Sequence, residues 1–411
     1  MTNSMVPGER IFSLDVIRGI AVMGIFSVNV VAFAMIEQAY FNPAAYGGTQ
    51  GADRLVWALN LLLIDGKMRS LFSMLFGASM LLVIERAEAA GQSGIAVHIR
   101  RMLILLGIGL AHYFLLWFGD ILTLYAITGL VAVWFRNWRP RKLMVGGVIA
   151  TLVGLMIFAA WIVEQHGAQL AAHAPHASLA AIDHWNDGMG SFVPTRQAIA
   201  DDLAIHRGGW WTLVDHKLGN TGELLTATMV FLPETLGLML FGMAGYKSGF
   251  LTGQWPLPAY RRFALITVSG GFAAFALLVW ADLSSNFDII TLFGGFVVGV
   301  TPFRIAMAAG YAALIVLATR HHGWLVQRIA ATGRAAFTNY LGTSLIAAFV
   351  FYGWGFGLYG SVSRAQAWLL VPIVWAIMLL WSKPWLDRYR YGPLEWLWRS
   401  LSRGRLQPMR R

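Results

Sequence analysis

Met102 to Phe118 reads MLILLGIGLAHYFLLWF, with no charged side chain and a single histidine. An α-helix rises about 1.5 Å per residue, so such a run approaches the roughly 30 Å hydrocarbon core of a bilayer. Leu143 to Val163 and Phe263 to Ala281 hold no charge at all over comparable lengths. Hydrocarbon is therefore the solvent that the pattern fits. Extending the same reading outward places spans at 11–36, 67–85, 98–118, 120–136, 142–164, 223–246, 261–281, 289–318, 335–353 and 366–383. The expected fold is all-α: a polytopic membrane helix bundle of about ten transmembrane helices, forming one integral membrane domain over 1–411.

Composition points the same way. With 57% hydrophobic and 12% charged residues, the 411-residue chain has too little polar surface to cover a water-soluble globule. The apolar run after Arg10 continues past the length of a signal-peptide core and meets no small-residue cleavage site, so it is expected to remain as the first span. Cysteine is absent, which excludes disulfides, thiolate metal sites and a cysteine nucleophile.

The net charge of +11 is distributed unevenly. When odd spans run outward and even ones return, Arg86, Arg100, Arg101, Arg136, Arg139, Arg141, Lys142, Lys247, Arg261, Arg262, Arg320, Arg328 and Arg334 share one face with the tail beyond Lys383. The opposite face receives Arg54, Lys67, Arg69, Arg196, Arg207, Lys217 and Arg364. The positive-inside rule makes the first face, and both termini, cytoplasmic. A basic rim on anionic lipid headgroups accounts for the charge, so membrane lipids are the expected partner and nucleic acid is not. Residues 165–222 are expected as an extracytoplasmic loop or cap between spans five and six, and carry six of the ten histidines. Residues 384–411 read as a basic cytoplasmic tail, and the amphipathic 53–64 as an interfacial or re-entrant helix.

Ionisable groups within the spans are expensive, which makes them the candidate functional residues. Asp15, Arg18 and Asn29 fall within a sector of roughly 60° on the first span, a stripe that must face the bundle interior. It serves either an ion pair that orients the helix or a substrate path. His112 lies in the third span and Asp120 at the hairpin tip that follows. A carboxylate beside an imidazole orients the ring and raises its basicity, as general base catalysis requires. The alternative is a histidine bonded to a backbone carbonyl; Tyr113, Thr123 and Tyr125 are further lining candidates. Glu234 follows Pro233 in mid-span, and Arg304 lies close to Pro302. Uncompensated charge at that depth is so unfavourable that the two are expected to approach one another or to share water with Asp15 and Arg18. Lys67 and Arg69 open the second span, where they form an anion site or snorkel to the interface.

Other patterns carry no chemistry. Gly355, Gly357 and Gly360 form a GxGxxG without the preceding strand that a dinucleotide site needs. His166, His173, His176 and His184 fit no standard zinc spacing, and no metal site is expected.

Several segments together resemble the YeiB family of bacterial inner-membrane proteins: RIFSLDVIRGIAVMGIFSVNV at 10–30, KMRSLFSMLFGASM at 67–80, HYFLLWFGDILTLYAITGLV at 112–131, GRAAFTNYLGTSLIAAFVFYGWGFGLYG at 333–360 and YGPLEWLWRSL at 391–401. The resemblance spans essentially the whole chain and implies a multi-pass protein of the bacterial inner (plasma) membrane. The start of the chain is also distantly similar to transmembrane acyltransferases of the acyltransferase-3 and heparan-glucosaminide acetyltransferase types. Arg18 matches the arginine of the acyltransferase-3 pattern, but Asn29 stands where that pattern places its histidine. The heparan-type enzyme also has an asparagine there, yet the histidine that follows it has no counterpart between Asn29 and His98.

Two main functions are carried forward. In the first, the chain is a transmembrane acyltransferase that moves an acyl group from cytoplasmic acyl-CoA, as co-substrate and not as a bound cofactor, to a small-molecule acceptor at the outer face. His112 is then the general base, Asp120 orients it, and Arg18 or Arg304 stabilises developing negative charge. In the second, it is a proton-coupled transporter or exporter of a small anionic or amphipathic metabolite, with Glu234, Asp15 and Arg304 as the relay. A scaffold without chemistry is a third reading, and homo-oligomerisation is left open.

Overall fold

In the computed structural model, which describes residues 11–189 and 192–411, the chain is helical apart from one bridge pairing between Tyr389 and Arg410. The principal helices are α1 (Phe12–Ala34), α2 (Lys67–Ala89), α3 (Gly94–Leu115), α4 (Leu122–Ala132), α5 (Pro140–Ala172), α6 (Thr221–Lys247), α7 (Leu257–Ser284), α8 (Thr301–Ala318), α9 (Ala336–Phe351) and α10 (Leu370–Arg388). Each expected span falls on one of them. Among the described residues, eight segments are long and apolar enough to cross a membrane; α4, with its 3₁₀ extension to Phe135, and α9 are shorter. Helix α4 is short because the chain before it runs unwound through the bundle until Asp120, whose Oδ2 accepts from Thr123 N at 2.7 Å and starts the helix. The expected eighth span is broken. Ile289–Gly294 leads into a π-turn at Gly295–Gly299, and Pro302 sits in the first turn of α8, where its missing N–H costs nothing.

Helix α1 is buried around most of its circumference and forms the centre of the bundle. Small residues let its neighbours approach closely. A Cβ at Gly333 would strike the Asp15 carbonyl, and one at Gly19 would strike that of Ile329, which fixes α1 against the Trp324–Arg334 helix. Gly77 and Gly242 play the same part between α2 and α6, against Met239 O and Met74 O. The outer helices do the opposite: Val145, Ile149, Leu152 and Met156 of α5, with Leu265, Ile266 and Leu277 of α7, are exposed. An exposed apolar surface of this extent is stable against lipid and not against water, so the fold is that of a membrane protein.

The connections are ordered into structure. Gly51–Leu63 is a helix that packs Trp57 and Leu61 on Phe275 and Leu278, then passes through Gly66, at φ +69°, directly into α2. Residues 165–222 begin as a continuation of α5 and carry the helices Leu179–Met189, Arg196–Arg207 and Trp210–Gly219. The second of these is tied to the GxGxxG loop, because Tyr359 Oη donates to Asp202 at 2.6 Å and Arg207 Nε donates to Tyr359 O at 2.8 Å. At the other end of the molecule, Pro393–Arg403 folds under the bundle. Trp398 Nε1 donates to Arg101 O at 3.0 Å, and Glu395 accepts from the Phe337 and Thr338 amides at the start of α9. The segment read as a basic tail is thus built into the base of the fold.

Candidate functional site

Among the described residues, two chambers lie within the bundle at the positions of interest. One, of about 450 Å³, is lined by the beginning of α1, the end of α2, the beginning of α3 and the C-terminal helix, so it lies at the end of the bundle that carries the chain termini. The other, of about 310 Å³, is lined by the end of α1, the beginning of α2, the end of α3 and the first half of α6, and lies at the far end. We refer to them as proximal and distal. Ile25, Ile121 and Tyr340 line both and form the wall between them. Ile121 N donates to Tyr340 Oη at 3.4 Å, which ties two members of that wall together.

The distal chamber contains the charges expected at mid-depth. Glu234 accepts from Arg304 Nη2 at 2.9 Å and from Arg69 Nη2 at 2.8 Å, one arginine on each carboxylate oxygen. Arg304 also donates to Thr301 Oγ1 at 3.0 Å. Removing Glu234 leaves two guanidiniums without the anion they share, so the triad ties α2, α6 and α8 to one another. Gly66 makes room for it: a Cβ there would meet Arg304 Cδ. Asn29 lines the same chamber, together with Asp65, which accepts from Tyr40 Oη at 3.1 Å. Lys67 lies apart. Its Nζ is turned to Leu61 O and lies over the Phe275 ring, so it neither lines the chamber nor snorkels to an interface. Arg69 does line it, and its first partner is a carboxylate of the protein.

Two carboxylates at the rim of this chamber were not singled out in the sequence. Glu37 and Glu223 both line it. Glu37 lies just beyond the first expected span and Glu223 opens the sixth, and at the end of a span charge is unremarkable, so no sequence signal marked them.

The proximal chamber receives Asp15 and Arg18, which pair at 3.2 Å, and Arg18 Nη2 also donates to Ser79 Oγ at 2.8 Å. These two line the proximal chamber, whereas Glu234 and Arg304 line the distal one. The polar interior is divided at Tyr340, a residue that an apolar context hid in the sequence. Tyr125 lines the proximal chamber and Tyr113 the distal one, whereas Thr123 lines neither.

His112 and Asp120 meet as expected from the hairpin, with Nδ1 and Oδ1 2.8 Å apart. An ionised carboxylate only accepts, so in the pairing of a carboxylate with a neutral imidazole this contact would place the proton on Nδ1 and leave Nε2 with a lone pair. Among the described residues that Nε2 has no hydrogen-bond partner, although it is buried. The ring lies beside Tyr340, with centroids 5.4 Å apart, and edge-on to Trp117. Asp120 reaches the distal chamber, whereas His112 lines neither chamber and stands behind the wall.

The sequence belongs to a recognisable group of proteins. Residues 245–405 match the family described as protein of unknown function (DUF418). Over 96% of both chains the sequence is 30% identical to the uncharacterized protein YeiB of Escherichia coli (strain K12). It is also 30% identical to the uncharacterized protein YxaH of Bacillus subtilis (strain 168), over 98% of this chain and 96% of that one. The chain belongs to the YeiB family. No solved structure matches it.

Proposed function

We propose that the chain is a transmembrane acyltransferase of the bacterial inner membrane, with the proximal chamber and both termini on the cytoplasmic side. The supporting observation is that two chambers at opposite ends of the bundle share a wall, Ile25, Ile121 and Tyr340, against which the His112–Asp120 pair is packed. A donor thioester enters the proximal chamber and an acceptor hydroxyl or amine enters the distal one. Movement of the Tyr340 ring exposes His112 Nε2 at their junction. The acceptor oxygen or nitrogen attacks the thioester carbonyl as Nε2 takes its proton; the carbon–sulfur bond breaks, and the imidazolium returns the proton to the departing thiolate. Asp120 holds Nδ1–H throughout and stabilises the imidazolium. Arg18 faces the donor side, while Arg304, bound to Glu234, faces the acceptor side.

Purified protein in liposomes is expected to release free CoA from acetyl-CoA when a panel of amines and alcohols is supplied. His112→Ala should abolish the release, and Asp120→Asn should lower it by about 10² or more. Silence across the panel, or release unchanged in His112→Ala, overturns the assignment.

One observation favours a second reading. Two adjoining chambers that share Ile25, Ile121 and Tyr340 also suit alternating access by a proton-coupled exporter. Glu234→Gln would then abolish uptake driven by a pH gradient, with no thioester consumed.

A further inference from the structure

The distal chamber is lined by more carboxylates than cations: Glu37, Asp65, Asp120, Glu223 and Glu234 against Arg69 and Arg304. Three of the acids are engaged. Glu234 accepts from both arginines, Asp120 holds His112 and the Thr123 amide, and Asp65 accepts from Tyr40. The side chains of Glu37 and Glu223 make no hydrogen bond or ion pair among the described residues. They lie within electrostatic reach of one another, and Asp202, on the helix Arg196–Arg207, adds a third negative charge. Both are exposed, so the pair marks the mouth of the chamber. Like charges gathered at an opening favour a cation between them.

The chamber behind that mouth selects the kind of cation. Glu223 and Glu234 both line it and are separated by about three turns of α6, so it runs roughly 16 Å along that helix. Its walls are largely aromatic, with Tyr40, Phe41, Tyr113, Phe118 and Phe231 in the lining. Ring faces attract organic ammonium groups, whereas a hard metal ion requires several oxygen ligands, and among the described residues no group of three metal-ligating side chains is present. A different demand arises beside His112. Trp117 lines the chamber and is 2% exposed, yet its Nε1–H has no hydrogen-bond partner among the described residues. A buried donor carries its full desolvation cost until an acceptor arrives. The Trp117 ring is stacked on Phe33 and meets His112 edge-on, with centroids 6.3 Å apart, so the orphaned donor belongs to the surroundings of the proposed base.

We infer that the distal chamber binds an organic cation with an ammonium group at one end and a hydroxyl at the other, the ammonium held between Glu37 and Glu223 and the hydroxyl oxygen accepting from Trp117. The assignment of the ligand as acceptor rests on the acyl-transfer reading. In that reading the hydroxyl oxygen forms the new bond to the thioester carbonyl carbon while its proton passes to His112 Nε2. The carbon–sulfur bond then breaks, and the imidazolium returns the proton to the departing thiolate. The ammonium stays protonated at the mouth and takes no part in the transfer.

The test is equilibrium binding to the full-length protein in nanodiscs of zwitterionic lipid. The probes are 5-amino-1-pentanol and 8-amino-1-octanol, with the diols and hydroxy acids of the same chain lengths as neutral and negative counterparts. At least one amino alcohol is expected to bind about tenfold more tightly than its diol, and the hydroxy acids more weakly than either. Glu37→Gln and Glu223→Gln are each expected to weaken the amino alcohol about tenfold, the effect of losing one charge-assisted contact. Glu164→Gln, an exposed carboxylate of α5 that does not line the chamber, should leave it unchanged. Glu37→Lys should turn the preference toward the hydroxy acid, a gain that a misfolded variant would not show. His112→Ala should hold the amino alcohol as tightly as the natural protein does. Selective binding without any acylation leaves the site standing and removes acyl transfer, whereas acylation of amino alcohol and diol at equal affinity keeps transfer and removes the site. Equal binding of the three classes, binding of none, or an affinity unchanged in both glutamine variants overturns the inference.

Discussion

Arg304 donates to Glu234 over 2.9 Å from a position 70 residues further along the chain, and the two residues lie on proline-bearing helices of which one follows a π-turn. With Arg69 on the second oxygen, the carboxylate sits between two cations in the interior of the bundle.

Breaking that triad should cost far more than a surface ion pair. Glu234→Ala leaves two guanidiniums without an anion, and the loss of a buried partner is worth about 3–5 kcal/mol. Thermal unfolding of the protein in nanodiscs should show a large drop in midpoint for Glu234→Ala. Lys383→Ala, which breaks an exposed pair with Asp387, should change it by a degree or two at most.

Gly66 tests the same region through the backbone. Its φ of +69° is unfavourable for any residue with a Cβ, and an added methyl would press on Arg304 Cδ. Gly66→Ala is expected to destabilise by about 1–3 kcal/mol, mainly by displacing Arg304, and so to lose most of its effect in a Glu234→Ala background. A double-mutant cycle on unfolding midpoints reads the coupling; simple additivity would detach Gly66 from the triad.

A pH dependence is expected from the region 165–222. Lys217 is buried, its Nζ has no hydrogen-bond partner among the described residues, and burial lowers its pKa from 10.5 to about 7. Between those values the unfolded chain binds more protons than the folded one, so stability rises with pH by up to about 1.4 kcal/mol per unit and is lost as pH falls towards 7. Unfolding midpoints measured from pH 7 to 9.5 should climb in the natural protein and flatten in Lys217→Met. An unchanged slope would contradict the assignment.

The absence of cysteine makes sidedness directly measurable. Single substitutions Glu37→Cys and Glu223→Cys should react with a membrane-impermeant maleimide from the periplasmic side of spheroplasts, while Ser79→Cys and Arg399→Cys should react only in inverted vesicles. The reverse pattern would invert the topology and place the proximal chamber outside.

Hydropathy alone made the bundle legible, because a span in lipid must be long and apolar whatever it packs against. Charge placement within the spans was nearly as readable: Glu234 with Arg304, Asp15 with Arg18 and His112 with Asp120 all meet, since isolated ions at depth are excluded on energetic grounds. What could not be read was the partition of those ions. Tyr340, Ile25 and Ile121 form the wall through their shape, and an apolar residue that closes a passage looks in sequence like one that packs a core. The C-terminal helix was missed for the converse reason. Arg390 and Arg399 match an ordinary basic rim until Trp398 and Glu395 are seen to fold them inward.

The wall gives a separate prediction. Tyr340→Ala removes the largest group between the chambers and should let small solutes leak from proteoliposomes, whereas Tyr340→Phe should stay sealed and retain transfer. Equal permeability in the two variants would show that the barrier lies elsewhere.

The central claim is that an acyl group passes between chambers at the two ends of the bundle through His112. Vesicles loaded with the amine and alcohol panel, supplied externally with radiolabelled acetyl-CoA and carrying protein oriented with its termini outward, test it directly. Labelled acceptor should accumulate inside, with free CoA outside and neither formed by His112→Ala. Label that remains in the external thioester, or product formed only on the donor side, would contradict the account.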